Sequence, residues 1–221
     1  MSLPFDWFIR STGRNHIFNE TMKLLPALGH NPLISSRVLL LNCLNRDYSA
    51  LWRDGWDGSY LVDGWLSRDS RLTNWGEHVG GGAAWRWGTP LRTALDRRQA
   101  LLELDVLVAR ALGLSLADLL LMYRVSFATL RKYDAETYYD RNGRCVFSVK
   151  SGESYLTRKE WEDIRDMPSG EFRKTVTECV FSDTSSERTI VYQAPFLPKC
   201  REDDYREAWS LLEQREAKNE N

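Results

Sequence analysis

The feature that most constrains the fold is the stretch from residue 90 to 113, which has the pattern of one long helix. Thr89 can cap its start, and Pro90 suits the first turn because a helix leaves that N–H unbonded in any case. Gly113 ends it, since glycine readily adopts the left-handed conformation of a C-terminal cap. The apolar residues of the interior are Leu91, Ala94, Leu95, Leu101, Leu102, Leu104, Val108, Ala111 and Leu112. The sequence therefore predicts a continuous helix over this range.

Two shorter helices are predicted next. Ser115 and Asp118 have the spacing of a capping box, which opens a helix over "LADLLLMYRV". The stretch "SFATLRKYD" predicts a third helix that ends near Asp134. Because the joints are short, these helices are expected to form the end of a compact helical unit over residues 34–134.

That unit is predicted to begin with a helix over residues 34–53, capped by Ser35 or Ser36. Its apolar positions recur at spacings of three and four, which predicts one buried face. The residues of this face are Val38, Leu41, Leu44, Tyr48 and Leu51.

A β-hairpin is predicted near residues 138–149. Asn142-Gly143 fits the two positive-φ positions of a tight turn, and strand-forming residues flank it. Residues 188–193 alternate like a strand and are expected to pair with this hairpin, because a two-stranded ribbon is marginally stable alone. Thr157 and Glu160 form a second capping box.

The tail over residues 135–221 is predicted to close with an amphipathic helix that has Tyr205, Trp209 and Leu212 on one side. The expected fold class is α+β, predominantly α-helical, with a small antiparallel sheet near the C-terminal half.

Residues 54–88 are rich in tryptophan and glycine and predict an irregular excursion with a "GGG" loop. Exposed tryptophans could stack on sugars or bases, whereas buried ones would fill an irregular core. The second interpretation is favoured, because aromatic side chains dominate buried area.

Composition excludes several classes of protein. The formal net charge is -1, so any binding of nucleic acid must depend on a local patch. The four cysteines lie far apart, without a CxxC pair, which argues against a zinc site and a disulfide framework. The sequence has neither an apolar run of membrane-spanning length nor a signal-peptide core, and a cytoplasmic location is expected.

No catalytic constellation stands out. Phosphate-binding glycine loops, a GxSxG elbow and HExxH are absent, and the three histidines lack a nucleophilic partner. Glu103 and Asp105 would point to different sides of their helix, so they do not form an acid–base pair. A carbohydrate-active enzyme would need two carboxylates across a cleft, for which Asp54, Asp57 and Asp63 are nominal candidates.

Several arginines are more informative, because guanidinium forks suit phosphate. Candidates are Arg97, Arg98, Arg124, Arg131 and Lys132. Solvated helix faces, paired with local carboxylates, are the alternative interpretation.

Three stretches resemble a known family. They are "LPFDWFIR…GRNHIF…LLPAL", "RRQALLELDVLVARALGLSLADL" and "FATLRKYDAETYYDRNGRCVFS". Together they are similar to the C-terminal region of large adenine-specific DNA methyltransferases of restriction–modification and phage-defence systems. The resemblance spans residues 3 to about 150.

The resemblance implies a non-catalytic fragment that helps to recognise or position double-stranded DNA. The family's S-adenosylmethionine-binding glycine loop and "NPPY"-type motif do not occur here, so no cofactor is expected in this chain. The cofactor and the methyl transfer would belong to the parent enzyme. Residues 1–33 would be the end of its target-recognition region.

The same resemblance places DNA contacts in the loop from Arg10 to Lys23. The candidate residues are Arg10, Arg14, Asn15, His16, Asn19 and Lys23, with the family's asparagine displaced to Asn19. Loops on a rigid scaffold commonly carry binding residues. The alternative is an interaction module that docks on the remainder of the parent chain or on another protein of the defence system. An exposed patch of Phe5, Trp7 and Phe8 would then produce a homodimer of the fragment.

Overall fold

The computed structural model describes residues 2–13, 19–181 and 184–219. The helices are α1 Leu3–Ser11, α2 Asn19–Met22, α3 Pro32–Asn42, α4 Ser49–Asp54, α5 Trp75–Val79, α6 Ala94–Ala111, α7 Leu116–Ser126, α8 Ala128–Ala135, α9 Arg158–Ile164 and α10 Arg201–Asn219. The strands are β1 Thr137–Tyr139, β2 Cys145–Ser148, β3 Glu171–Phe181, β4 Thr184–Gln193 and β5 Leu197–Pro198. The predicted fold class is confirmed: the chain is α+β, mostly helical, with small antiparallel sheets.

Helix α6 is the centre of the helical part. It packs against α1, α3, α7 and α10, and most of its residues are buried. Among the buried residues are five polar or charged ones: Asp96, Arg98, Gln99, Glu103 and Asp105. A helix that is buried on nearly all sides must satisfy such side chains inside the protein. Four of them have partners outside α6, and Gln99 donates to Glu103 of the same helix.

The predicted start of α6 was wrong by about one turn. The helix begins at Ala94, and the Thr93 hydroxyl accepts the Asp96 N–H at 3.1 Å. The Leu91 N–H instead donates to the Leu40 carbonyl at 3.0 Å, so the residues after Pro90 pair with another segment before the helix starts. The predicted stop is confirmed, since Gly113 follows the helix with a φ of 72°.

The predicted helix over residues 34–53 is divided into α3 and α4. Asn31 caps α3, accepting the Leu33 N–H at 2.9 Å, so neither Ser35 nor Ser36 has that role. A 3₁₀ turn over Arg46–Tyr48 separates the two helices. Four members of the predicted apolar face, Val38, Leu44, Tyr48 and Leu51, are exposed.

Leu41 is the one predicted member that is buried, and it shares the buried face of α3 with Arg37 and Leu40. Arg37 can occupy the core because it pairs with the carboxylate of Glu103, which lies in α6. Local periodicity gives no sign of this partner, which explains why the face was assigned incorrectly.

The tryptophans of the irregular segment mostly fill the core, as expected. Trp75 is buried and Trp65 is half-buried, and Trp52, which lies in α4 just before the segment, is buried as well. Their indole N–H groups donate to backbone carbonyls at 2.8–3.0 Å, which satisfies the polar atom of each ring. Trp87 is an exception, with 72% of its surface exposed.

The β1–β2 hairpin is confirmed, but its turn differs from the predicted one. Of the two predicted turn residues, Gly143 has a positive φ, of 71°, and Asn142 does not. Asp140 organises the turn, since its Oδ1 accepts the N–H groups of Asn142 and Arg144, each at 2.9 Å. The turn is therefore longer than a two-residue loop, and a bulge lies between Tyr138 and Tyr139.

The predicted pairing of residues 188–193 with the hairpin was wrong. This segment is a strand, within β4, but it pairs with β3 in a separate two-stranded sheet. The third strand beside β1 is the short β5. The end of β4 still reaches the hairpin turn, because the Arg141 N–H donates to the Gln193 carbonyl at 3.0 Å.

The remaining local predictions are confirmed. Both capping boxes are present, at Ser115–Asp118 and at Thr157–Glu160. The α10 residues Tyr205, Trp209 and Leu212 are buried together. Within the described residues, no helix is long and apolar enough to cross a membrane.

Candidate functional site: a basic groove beside the central helix

The structure locates three of the six residues predicted to contact DNA. Arg10 is exposed near the end of α1, where its Nε donates to Asp6 at 3.0 Å and its guanidinium lies 5.1 Å from the centre of the Phe127 ring. Asn19 and Lys23 are exposed at α2 and just after it. Arg14, Asn15 and His16 lie outside the described residues, so their predicted role stays a prediction.

Arg10 borders a groove that consists of three neighbouring cavities. The outer cavity, of about 620 Å³, lies between α1, α6 and α8. The inner cavity, of about 420 Å³, lies between α6, α8 and the first hairpin, and shares Leu101, Lys150 and Arg201 with the outer one. The hairpin cavity, of about 410 Å³, shares Ala94 and Cys145 with the inner one.

The lining of this basic groove carries far more positive than negative charge. Its cations are Arg10, Arg92, Arg97, Arg98, Arg144, Lys150, Arg188 and Arg201. Its carboxylates are Asp6, Asp105, Asp134 and Glu153. The eight cations exceed the four carboxylates by four, on a chain whose net charge is -1. Such local segregation of charge favours an anionic ligand.

The floor of the groove is a buried network of ion pairs. Arg201 donates through Nε to Asp134 at 2.6 Å, and its Nη1 lies 3.5 Å from Asp105. Asp105 also accepts the Tyr205 hydroxyl at 2.7 Å and the Leu3 N–H at 2.6 Å. Burial would lower the pKa of Arg201, but Tyr205 and Asp134 raise it well above its ordinary value. This part of the network connects α1, α6, α8 and α10, and its Arg201 guanidinium stays protonated.

Arg98 completes the floor but is less well satisfied. Its Nη1 donates to Asp204 at 2.7 Å, and its Nε lies 3.6 Å from Asp134. The remaining nitrogen, Nη2, is buried and has no hydrogen-bond partner among the described residues. A buried cationic donor without an acceptor is rare, because it loses its hydration without compensation.

Three cations in the lining have no carboxylate partner within 4.0 Å among the described residues: Arg92, Arg97 and Arg144. Backbone carbonyls hold them instead. Arg144 Nη1 donates to Val191 at 2.8 Å, and Arg97 Nη1 donates to Leu41 at 3.3 Å. Arg92 donates to the Trp87 carbonyl and lies 4.0 Å from the centre of that exposed ring. Neutral anchors orient these guanidinium groups without cancelling their charge.

The other polar groups of the inner cavity donate hydrogen bonds and are poor nucleophiles. Burial raises the pKa of Cys145 to about 12, so its thiol stays protonated at neutral pH. Burial also raises the pKa of Tyr139 above its ordinary value, so this side chain is a neutral phenol. Neither side chain is therefore an activated nucleophile, and both can donate a hydrogen bond to an anion.

Glu103 and Asp105 serve two separate buried clusters, as expected from their spacing. Glu103 accepts Arg37 Nε at 2.6 Å, and Arg37 Nη1 also donates to Asp63 at 2.7 Å. Asp63, a nominal carbohydrate-site carboxylate, is thus buried in ion pairs. Asp57 caps a 3₁₀ turn by accepting the Ser59 N–H at 2.8 Å. Both carboxylates have structural partners, which weakens the carbohydrate-active interpretation.

Sequence reasoning identified Arg97 and Arg98 but not the cavity around them. Arg124, which was also a candidate for phosphate binding, lies outside the groove. It pairs with Glu202 at 2.5 Å, in agreement with the alternative interpretation of a solvated, ion-paired helix face. Arg92 and Arg144 were not singled out. Arg92 follows Trp87 closely in the sequence, and Arg144 directly follows the Asn142-Gly143 turn. Either neighbour could have drawn attention to these arginines.

Comparisons with known proteins do not assign this groove. The chain matches no protein-family model, no curated protein and no solved structure.

Proposed function

We propose that this chain is the non-catalytic C-terminal part of a DNA adenine-N6 methyltransferase and that it holds DNA against the basic groove. The observation that carries the proposal is the surplus of four cations along the groove of a chain with net charge -1. The resemblance over residues 3 to about 150 supports the choice of DNA as the anion. S-adenosylmethionine and methyl transfer would belong to the rest of the parent enzyme.

The groove and its border suit DNA in two ways. Arg92 and Arg144 are exposed at the hairpin cavity and have no carboxylate partner among the described residues, so each can form a charge-assisted bond to a phosphate. Trp87 is exposed beside Arg92 and offers a face for an unstacked base or a sugar. Contacts of this type position DNA and contribute little to sequence specificity.

The test is fluorescence anisotropy with a labelled DNA duplex at several salt concentrations. The double variant Arg92→Gln, Arg144→Gln should bind about tenfold more weakly near 0.15 M salt and reduce the salt slope by about two. The matched control is Arg165→Gln, Arg206→Gln, which removes two exposed cations that are paired outside the groove. If both variants lose the same affinity, or neither does, the groove does not hold DNA.

A second candidate function is docking on another protein, which was the alternative interpretation of the sequence. It is favoured by the exposure of Val38, Leu44, Tyr48 and Leu51 along α3, α4 and their joint. Apolar groups that remain in water are typical of an interface. Leu51→Glu should then abolish co-purification with the rest of the parent chain and leave DNA binding unchanged.

A further inference from the structure

We propose that the inner cavity is a binding site for a single phosphate group, held by Arg97, Arg98 and Tyr139. This inference goes beyond the proposed DNA-binding groove, because it requires only the inner cavity. The phosphate could be the terminal group of a nucleic-acid strand or part of a free nucleotide. Both sources present the same dianionic oxygens, and the experiments below separate them.

The first observation is the unsatisfied donor of Arg98. This side chain is 7% exposed and lines the inner cavity, and its Nη2 lacks an acceptor among the described residues. Asp204 and Asp134 occupy its other nitrogens. An oxygen of a bound anion would supply the missing acceptor, and a phosphate oxygen matches the charge as well.

Two neighbouring groups provide further donors. Arg97 uses only its Nη1 for the carbonyls of Leu41 and Leu91, which leaves Nε and Nη2 for a ligand. Tyr139 lines the same cavity, and its hydroxyl forms no hydrogen bond within the described ranges. Together these side chains offer N–H and O–H donors to a shared volume, which suits a tetrahedral oxyanion and does not suit a metal ion.

The electrostatic environment favours a dianion. Arg97 and Arg98 lie in the first turns of α6, where the helix dipole is positive. Two carboxylates line the cavity, and each is already engaged: Asp134 by Arg201 and Glu153 by Lys150. The volume of about 420 Å³ is within the range of roughly 300–1,000 Å³ that is usual for small-molecule sites.

The direct test is a titration with inorganic phosphate, followed by thermal unfolding and by ³¹P line broadening, with chloride at matched ionic strength as the reference. We expect a saturable rise in Tm with phosphate and none with chloride. Arg97→Gln should weaken the apparent affinity about tenfold, because hydrogen bonds between charged groups are the strong ones. Tyr139→Phe should weaken it severalfold, since it removes a single neutral donor.

Both substitutions avoid the buried ion pairs, so the variants are expected to fold. Arg206→Gln, outside the groove, is the matched control and should titrate like the wild type. Arg98→Lys is a second variant, because it keeps the charge that Asp204 requires but removes Nη2. The proposal is overturned if phosphate does not saturate, or if it saturates equally in Arg97→Gln, Tyr139→Phe and the control.

Two further arms identify the source of the phosphate. If a strand terminus is the ligand, an oligonucleotide with a 5′-phosphate should bind more tightly than the same strand with a 5′-hydroxyl. If a free nucleotide is the ligand, adenosine monophosphate should saturate at lower concentration than inorganic phosphate. Saturable phosphate binding without DNA binding would sustain this site while the proposed function fails. DNA binding with no saturable phosphate would overturn the site alone.

Discussion

Helix α6 contributes to two buried charged clusters that differ in one respect. The closed cluster consists of Arg37, Asp63 and Glu103, and the open cluster consists of Arg98, Asp134 and Arg201. In the closed cluster all three guanidinium nitrogens of Arg37 have acceptors, the last being the Gly64 carbonyl at 2.8 Å. In the open cluster Arg98 Nη2 has none that the structure describes.

The two clusters also differ in how they border cavities. Asp63 of the closed cluster lines a cavity of about 780 Å³, but it is already paired there with Arg37 and Arg215. Arg98, Asp134 and Arg201 all line the inner cavity. Arg37 and Glu103 are fully buried, and both oxygens of Glu103 are used, since Oε1 accepts the Leu66 N–H at 2.7 Å. A fully satisfied buried network stabilises one packing arrangement, whereas an incomplete one beside a cavity is a candidate ligand site. Burial of charge alone therefore does not mark a site.

The largest expected effect is in the closed cluster. Glu103→Leu would leave Arg37 buried opposite an apolar side chain, with Asp63 as its remaining carboxylate. We expect a loss of about 3–5 kcal/mol in the free energy of unfolding, which is typical of a broken buried ion pair. Urea denaturation followed by circular dichroism measures it.

The control Glu216→Leu removes a half-exposed partner of Arg110 and should change stability by less than about 1 kcal/mol. Equal losses in the two variants would contradict the assignment of the closed cluster as structural.

The two capping boxes and the stop at Gly113 could be predicted because each depends on residues within four positions of one another. The orientation of α3 could not. Its core face includes Arg37, whose partner Glu103 is 66 residues away. The strand pairings were missed for two reasons. β4 pairs with β3, its neighbour in the chain, over which no strand was predicted, and β1 pairs with the two-residue β5, which is too short to predict and distant in sequence.

The candidate site was predicted only in part, for the same physical reason. Arg10 was identified through a resemblance and lies on the groove. Arg97 and Arg98 were identified as a basic pair, but their value for binding depends on Tyr139 and on α8, which the fold brings beside α6. A cavity is a property of several elements that are distant in sequence, so spacing along one element cannot reveal it.

A smaller effect is expected in the open cluster. Arg98→Met removes a cation from Asp204 and Asp134, but Asp204 keeps Lys199 at 2.7 Å and Asp134 keeps Arg201 at 2.6 Å. The variant also removes the unsatisfied Nη2. We therefore expect a loss of about 1–2 kcal/mol, well below that of Glu103→Leu. The same urea titration measures this loss. A loss as large as that of Glu103→Leu would show that the open cluster is as important for stability as the closed one.

The smallest expected effect concerns pH at the edge of the open cluster, where Lys199 bridges Asp204 and Asp69. Burial opposes ionisation of Asp69, but hydrogen bonds from Arg71 and Lys199 prevail and hold its pKa well below the ordinary value of 3.8. Because the folded-state pKa is depressed, the unfolded chain binds more protons below about pH 4. The stabilisation from Asp69 is therefore complete above that pH and is lost as the pH falls further.

Asp69→Asn should accordingly lower the free energy of unfolding by about 1 kcal/mol at pH 7 and flatten its decline below pH 4. Thermal unfolding at a series of pH values from neutral to about 2 measures both quantities. Asp54→Asn, at an exposed carboxylate beside Arg53, is the control and should follow the wild-type curve. If the Asp69→Asn curve stays parallel to the wild-type curve below pH 4, then Asp69 does not hold Lys199 against the open cluster through its charge.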